Sequence, residues 1–496
     1  MTIDKTDVDM VKMAVIFKLL CVLLLVSIIQ STPLDDYVNR PDATYKYSEI
    51  THYVHEDHTL YILNMTSQTW LTEDFVEKPI WWHYLTVTIP HVIRYPDAAF
   101  MFIEGGSNNN GPPTGTDNFV ALTTAMAVST GAIGADLKMI PNQPVVFKAD
   151  PTHQRRSEDA IIAWTWKTFV ESNGSNPDIL LRMPMTKAAV RALDTIADFA
   201  KKKINTTVDK FFIAGASKRG WTTWTTAAVD KRVIAMAPIV MDLLHMVQNL
   251  HHHFRAYGGW TFAFKDYYVL NFTDHLDDPY TQAMADIIDP ISYNERYATI
   301  PKIIVSTGGD EFFLPDDSHY YFNELQGPKY LRILPNAEHS CAGHEISLLF
   351  TMRAFFLSVI TKTPLPKFTW VREETPTGGR ITIMSDQKPK TVNMYYATTL
   401  DGERRDFRLL VGTPGDPSKP MPHPVIWLRD DVKDMGNNTY VAEMEKPFVG
   451  WTAFFVQVTF QGVADAVLEF TTETQIVPDV FPFPDCQGTG CTGVLV

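Results

Sequence analysis

The pattern of apolar and polar positions changes near residue 365. Before that point, short apolar runs alternate with segments whose apolar residues recur at helical spacing. After residue 368 the helical spacing is absent, and short runs are separated by turns such as Asp401-Gly402. Alternating strands and helices predict a mostly parallel sheet covered on both faces, whereas the later runs predict a β-sandwich. We therefore expect an α/β domain over 33–365 and a β-sandwich with a loose tail over 366–496.

The same pattern places individual elements of the first domain. Helices are predicted at 157–169 and 186–203, with Thr186 as the N-cap of the second. Buried strands are predicted at residues 97–103, 208–214, 233–240, 303–307 and 331–334. In such sheets ligands bind outside the carboxyl ends of the strands.

Residues 242–300 interrupt this alternation and are rich in aromatic side chains. The segment would lie over the carboxyl ends of the strands. We interpret it as a lid or a wall of a substrate pocket, and a helical packing layer is the alternative. Trp260 in this segment and Trp221 near the centre of the chain are candidates for the pocket wall.

The first 32 residues differ from the rest. Residues 13–29 are nearly all apolar, and small polar residues follow them, which predicts a signal peptide with cleavage near Ser31 or Thr32. A signal anchor is the alternative, but no second apolar stretch is long enough to span a membrane. We therefore expect a secreted, extracellular protein. Five glycosylation sequons fit this expectation: Asn64, Asn173, Asn205, Asn271 and Asn437.

Net charge limits the classes of binding partner, and the cysteine count limits the number of disulfide bonds. The 496 residues carry a formal net charge of -14, which argues against nucleic acid and anionic membranes as partners. There are only four cysteines. Cys21 would leave with the signal peptide, Cys486 and Cys491 flank a flexible loop that could close a small disulfide, and Cys341 is expected to be a buried thiol.

Candidate chemistry centres on residues 215–220, Gly-Ala-Ser-Lys-Arg-Gly. They follow a predicted strand and precede a predicted helix, so Ser217 would stand on a tight turn with its hydroxyl at the positive end of the helix. This is the nucleophile elbow of the α/β-hydrolases, a fold we therefore expect here. The usual glycine two places after the serine is replaced by Arg219, with glycine at the next position.

An acyl-transferring serine also needs backbone donors for the developing oxyanion. Residues 104–111 form a Gly- and Asn-rich loop after a predicted strand, so Gly105 and Gly106 are candidates, with a plain surface turn as the alternative. The N–H of Lys218 would be a further donor. For Arg219 we prefer an ion pair with Glu158 or Asp159, both also pocket candidates, over binding of an anionic substrate group.

A histidine and a carboxylate should follow the serine in chain order. Asp310 ends one predicted strand in a Gly-rich turn, and His339 follows the next strand. We therefore predict the triad Ser217, His339 and Asp310, with Asp316 and Asp317 as alternative acids. The spacing of the other histidines, including 251–253, does not favour a metal site, and we expect neither a metal nor a cofactor.

Several long motifs resemble one family, the PhoPQ-activated pathogenicity-related proteins. They are residues 32–38, 158–164, 215–224, 309–316 and 335–340. The resemblance runs from the start of the mature chain to about residue 470. It implies an α/β-hydrolase core and, by position, supports the three triad residues. The secreted eukaryotic branch of the family further implies repression of proliferation, repulsion of cells and a dipeptidyl-peptidase-like activity.

Two functions therefore remain open. The first is a secreted serine hydrolase that cleaves an ester or peptide bond in a small-molecule substrate. The second is an extracellular signal, recognised by a cell-surface receptor, that uses the hydrolase fold as a scaffold.

Overall fold

The computed structural model describes residues 31–496. The predicted signal peptide, apart from its last two residues, lies outside this range. Thr32 is the N-cap of helix α1 (Pro33–Asn39), in a reciprocal capping box with Asp35. Within residues 31–496, every helix is too short or too polar to cross a bilayer.

The central sheet contains the first nine strands in the order β1-β2-β3-β5-β4-β6-β7-β8-β9. Strands β4 to β9 form the parallel part of the sheet. The pairs β1 with β2, β2 with β3 and β3 with β5 are antiparallel. Their bounds are β1 Lys46–Val54, β2 His58–Thr69, β3 Ile80–Pro90, β4 Ala98–Ile103, β5 Ile133–Leu137, β6 Lys210–Ala216, β7 Val233–Ile239, β8 Lys302–Thr307 and β9 Lys329–Leu334.

Helices cover both faces of this sheet. Along β4, Phe100 and Phe102 belong to one apolar cluster and Met101 and Ile103 to another, as expected for a strand that is buried on both sides. The remaining helices are α2 Asn118–Thr130, α3 Asp159–Glu171, α4 Arg182–Ile204, α5 Lys218–Val229, α6 Met246–Tyr257, α7 Lys265–Val269, α8 Pro279–Ile288 and α9 Glu345–Ile360. The strand order and the serine turn after β6 confirm the α/β-hydrolase fold.

The predicted start of α4 is wrong by one turn. The helix begins at Arg182, and Thr186 is buried inside it, where its hydroxyl donates to the carbonyl of Arg182 at 2.8 Å. A threonine inside a helix can satisfy its hydroxyl on the carbonyl four residues earlier, so this residue type alone does not mark a cap.

The C-terminal strands are antiparallel and form two packed layers. One layer continues the central sheet, because β19 pairs with β9 at Thr471 and Leu331, followed by β18, β12 and β15. The other layer is β10-β11-β17-β16, and Ile381 of β11 packs in one cluster with Phe454 of β18. The bounds are β10 Phe368–Glu374, β11 Gly378–Ser385, β12 Thr391–Thr398, β13 Leu410–Thr413, β14 Asp416–Pro422, β15 Leu428–Asp431, β16 Lys433–Gly436, β17 Thr439–Glu445, β18 Thr452–Gln461, β19 Val467–Thr471 and β20 Gln475–Val477.

The C-terminal tail is docked, contrary to the expectation that it is loose. A buried disulfide joins Cys486 and Cys491. The Phe481 ring lies 4.1 Å from the guanidinium carbon of Arg405. The last residues pair with the backbone of Trp260, which accepts from the N–H of Val496 at 2.8 Å. Burial of the aromatic and cysteine side chains outweighs the disordering effect of the local prolines and glycines.

Candidate active site

Ser217 stands on a strained turn between β6 and α5. Its φ and ψ are 56° and -126°, a conformation that non-glycine residues rarely adopt and that often marks functional sites. Gly215 and Gly220 make the turn possible, because a Cβ at either position would lie 2.7 or 2.8 Å from a backbone oxygen. The arginine at position 219 therefore does not prevent the elbow.

His339 is held by Asp310. Nδ1 of the imidazole lies 2.9 and 3.0 Å from the two carboxylate oxygens. Asp310 is itself fixed, since it accepts the backbone N–H of Phe312 at 2.8 Å and the hydroxyl of Thr307 at 3.1 Å. Burial lowers the pKa of His339, but the Asp310 carboxylate raises it more, so the net pKa lies above the ordinary value of histidine.

The other ring nitrogen of His339 is free. Nε2 is buried and has no hydrogen-bond partner among the described residues. The hydroxyl of Ser217 likewise bonds to none of them, and no hydrogen bond joins the two groups. The ring of His339 packs on Phe312 and Phe313, with centroids 4.5 and 5.8 Å apart, and both phenylalanines line the cavity beside Ser217.

Glu311 also holds the histidine loop, a role that the sequence analysis missed. Its carboxylate accepts the backbone N–H of His339 at 3.0 Å. Burial and the neighbouring Asp310 raise the pKa of Glu311. The only sequence signal was its position next to the predicted acid.

The alternative acids do not contact His339. Asp316 and Asp317 instead engage His252 of α6, at 3.1 Å from Nε2 and 2.8 Å from Nδ1. The guanidinium of Arg405 lies 2.6 Å from Asp316 and also 2.6 Å from His252 Nε2. Burial raises the pKa of Asp316, but Arg405 and His252 lower it more, so this carboxylate remains charged.

The loop with the predicted oxyanion donors lies against the elbow. Gly106 has a φ of +121° and its carbonyl accepts from the Gln143 amide at 2.9 Å. A Cβ on Gly105 would lie 2.5 Å from the guanidinium of Arg219. Arg219 in turn donates to the carbonyl of Ile140 at 2.5 Å and to Glu158 at 2.6 Å. Arg219 thus ties the elbow to Ile140 and, through an ion pair, to Glu158.

Glu158 begins a second turn of the same shape. Its φ and ψ, 53° and -126°, nearly repeat those of Ser217, and it also precedes a helix. Its carboxylate pairs with Lys218 at 2.9 Å as well as with Arg219. Burial raises the pKa of Glu158, but Lys218 and Arg219 outweigh it and bring the pKa to about 2. No local sequence pattern predicts this backbone strain.

Of the predicted pocket residues, Trp221 and Asp159 line the cavity beside Ser217, together with Lys218. Glu158 does not line the cavity, but it pairs with Lys218, which does. Trp260 does not line it. That indole is buried against the tail, where its N–H donates to the carbonyl of Cys491 at 2.8 Å.

Other predicted features lie away from the cavity. Cys341 is a buried free thiol, and burial raises its pKa above the ordinary range.

Among the described residues, Glu104, Asp117 and Asp136 offer closely spaced carboxylates. The ammonium of Lys138 already occupies this cluster, at 3.0 Å from Asp117 and 3.2 Å from Asp136.

Comparison with known proteins identifies the family. The profile of the PhoPQ-activated pathogenicity-related proteins matches residues 34–408. The chain is 39% identical over 491 residues to autocrine proliferation repressor protein A of Dictyostelium discoideum, covering 96% of this chain and 97% of that protein.

Two solved structures resemble the fold at lower similarity. An acetyl xylan esterase from Paenibacillus sp. R4 has a TM-score of 0.45 and 15% identity, covering 64% of this chain and 91% of its own. Acetyl xylan esterase 1 from Thermoanaerobacterium sp. JW/SL YS485 has a TM-score of 0.41 and 16% identity, covering 66% and 93%. Given the extent of the profile match and of the amoebal sequence identity, the chain belongs to the PhoPQ-activated pathogenicity-related protein family.

Proposed function

We propose that this protein is a secreted serine hydrolase that cleaves an ester or peptide bond with Ser217, His339 and Asp310. The observation that carries the proposal is the state of His339. One ring nitrogen is fixed by a buried carboxylate. The other is buried, has no hydrogen-bond partner within residues 31–496, and lies next to the wall of the cavity that Ser217 lines. A free imidazole nitrogen in this position is what a general base requires.

In the proposed reaction, Ser217 Oγ forms a bond to the acyl carbon while His339 Nε2 takes the hydroxyl proton. The bond to the alcohol or amine then breaks, and His339 returns the proton to that leaving group. Water then attacks the acyl carbon while the same nitrogen takes a proton from it. The bond from the acyl carbon to Ser217 Oγ breaks, His339 returns this proton to Oγ, and the acid is released. Backbone N–H groups of Gly105, Gly106 and Lys218 are the proposed donors to the oxyanion.

A fluorophosphonate probe tests this assignment. The folded protein should be labelled on Ser217, as shown by peptide mass mapping, and Ser217→Ala should lose the label. The matched control is Ser340→Ala, which removes an exposed hydroxyl next to His339 that, among residues 31–496, bonds to Glu338 alone. An unlabelled wild type, or full labelling of Ser217→Ala, contradicts the proposal.

A second function, extracellular signalling, is favoured by one observation. The amoebal relative, 39% identical over almost the whole chain, is named as an autocrine proliferation repressor. Purified wild type and Ser217→Ala should then both slow the growth of responsive cells. Equal potency of the two proteins assigns signalling to the scaffold, loss of potency in Ser217→Ala assigns it to catalysis, and no effect from either protein contradicts the signalling function.

We also propose secretion with glycosylation at four positions. Asn173, Asn205, Asn271 and Asn437 are exposed on turns with positive φ, whereas Asn64 is half-buried in β2 between two paired strands. Mass analysis of protein from the medium of eukaryotic cells, before and after glycosidase treatment, should show sugar at these four sites. Protein retained in the cells or lacking sugar contradicts this.

A further inference from the structure

The cavity beside Ser217 is small and apolar. It has a volume of about 30 Å³ for the centres of water-sized molecules, about two to three times what one enclosed water requires. Its walls are mostly aromatic and aliphatic side chains, including Trp166, Trp221, Leu243, Phe264 and Tyr267. Such a space holds about two or three non-hydrogen atoms, which is the size of an acetyl group.

The walls hold one another in place. The Trp221 indole donates to the carbonyl of Ile288 at 2.5 Å. The Trp166 ring contacts Trp221, Tyr267 and Phe272, at centroid distances of 5.9, 5.1 and 5.1 Å. Because interlocked cores resist small expansions, a larger group cannot enter without displacing packed rings.

The charged groups at the edge of the cavity satisfy each other. The ammonium of Lys218 lies 2.9 Å from both Glu158 and Asp159, and the Tyr267 hydroxyl donates to Asp159 at 3.1 Å. A substrate ammonium would be repelled by Lys218 and a substrate carboxylate by Asp159, and either would compete for a group that is already paired. The cavity is therefore suited to a neutral group, which disfavours the free amino terminus of a peptide.

The position of His339 indicates which part of a substrate the cavity holds. A leaving group must contact His339 Nε2 to receive its proton. Among the described residues, His339 does not line the cavity, and its ring packs on Phe312 and Phe313, which do. The cavity is thus on the acyl side of the reacting bond.

From these contacts we infer that the substrate is an ester of a very short, uncharged acyl group, with acetyl as the best fit. This inference rests on the proposed hydrolase function. The larger cavities, of about 440 and 620 Å³, lie elsewhere and contain none of the predicted catalytic residues.

The test compares p-nitrophenyl acetate, butyrate and octanoate with a dipeptidyl p-nitroanilide. For wild type, kcat/KM for acetate should exceed that for octanoate by at least about 100-fold, because each excluded methylene costs about 10-fold or more. The anilide should not be cleaved. Preference for octanoate, or cleavage of the anilide in place of the acetate, overturns the inference.

Two variants that enlarge the cavity test the inference further. Phe264→Ala and the milder Leu243→Ala should each raise the octanoate-to-acetate ratio by about 10-fold or more. Phe262→Ala is the matched control, since Phe262 lies on the same turn but does not line the cavity. A ratio unchanged in a folded, probe-labelled Leu243→Ala protein also overturns the inference.

The fluorophosphonate label separates the two failures. If Ser217 is labelled but acyl length has no effect, only the inference about the acyl group fails. If Ser217 is not labelled, the hydrolase function fails as well.

Discussion

Two histidines of this protein contact carboxylates from the same stretch of chain after β8, yet they are suited to different tasks. His339 is bonded to Asp310 through Nδ1, and its Nε2 has no hydrogen-bond partner in the part of the chain that the structure describes. His252 has both nitrogens engaged, by Asp317 on one side and by Asp316 and Arg405 on the other. A histidine with a free nitrogen can transfer a proton, whereas a fully bonded histidine links the elements around it.

The second histidine links three parts of the chain. It lies on α6 of the insertion, its acids follow β8, and Arg405 comes from the C-terminal part. Phe481 of the tail packs on both His252 and Arg405. The comparison therefore predicts that changes at His339 affect catalysis and changes around His252 affect stability.

The largest expected effect is that of His339→Ala. Hydrolysis of p-nitrophenyl acetate should fall by about 10⁵- to 10⁶-fold, because the nucleophile and its base act as one unit. The thermal unfolding midpoint should change little. His344→Ala, five residues away, is the control and should retain activity. Retained activity in His339→Ala would break the comparison.

Next in size is Asp310→Asn, which should lower kcat by about 10⁴-fold. The residual rate also reports the pKa of His339. Only the neutral imidazole accepts a proton, so activity falls as the pH drops through that pKa. Asp310 raises this pKa, and its neutralisation should shift the acid limb of the pH–rate profile to lower pH. If the acid limb of the pH–rate profile does not shift, Asp310 does not stabilise the protonated form of His339.

The corresponding change at the second histidine is Asp316→Asn. Arg405 is fully buried and pairs with both Asp316 and Asp479. Because Asp479 remains, losing the Asp316 charge should cost about 3 kcal/mol in the free energy of unfolding, the lower end of the range for a broken buried pair. Urea denaturation measures this loss. The rate of fluorophosphonate labelling of the folded protein should stay near that of wild type. A stable but unlabelled variant would assign the network a catalytic role.

The smallest effect is expected from removing the tail disulfide. The double change Cys486→Ser and Cys491→Ser opens a loop with a sequence separation of 5, worth about 2 kcal/mol by chain entropy. Urea denaturation of oxidised wild type and the variant gives the difference, while acetate hydrolysis should be unchanged. Loss of activity without loss of stability would show that the tail shapes the site.

Much of this arrangement could be predicted from the sequence, because local order carries it. Ser217, Asp310 and His339 each follow a predicted strand, and the carboxyl ends of neighbouring parallel strands lie at one edge of a sheet. The fold class and the family followed from the same motifs.

The remaining features depend on contacts between distant residues. The aromatic side chain of Trp260 favours a place in the pocket, but its indole N–H donates to the carbonyl of Cys491. The backbone of Trp260 forms an isolated β-bridge with the C-terminal end of the chain. The strained backbone of Glu158 and the role of Glu311 as a tether have no local pattern. The continuation of the central sheet into the C-terminal strands rests on the pairing of Thr471 with Leu331.

The central claim is that His339 Nε2 serves Ser217, and a crystal structure of the fluorophosphonate-treated protein tests it most directly. We predict continuous density from Ser217 Oγ to phosphorus, with His339 Nε2 within hydrogen-bond reach of that oxygen or of the oxygen bound to phosphorus, at about 2.6 to 3.2 Å. An adduct on another residue, or an Nε2 more than about 5 Å from both oxygens, would contradict the account.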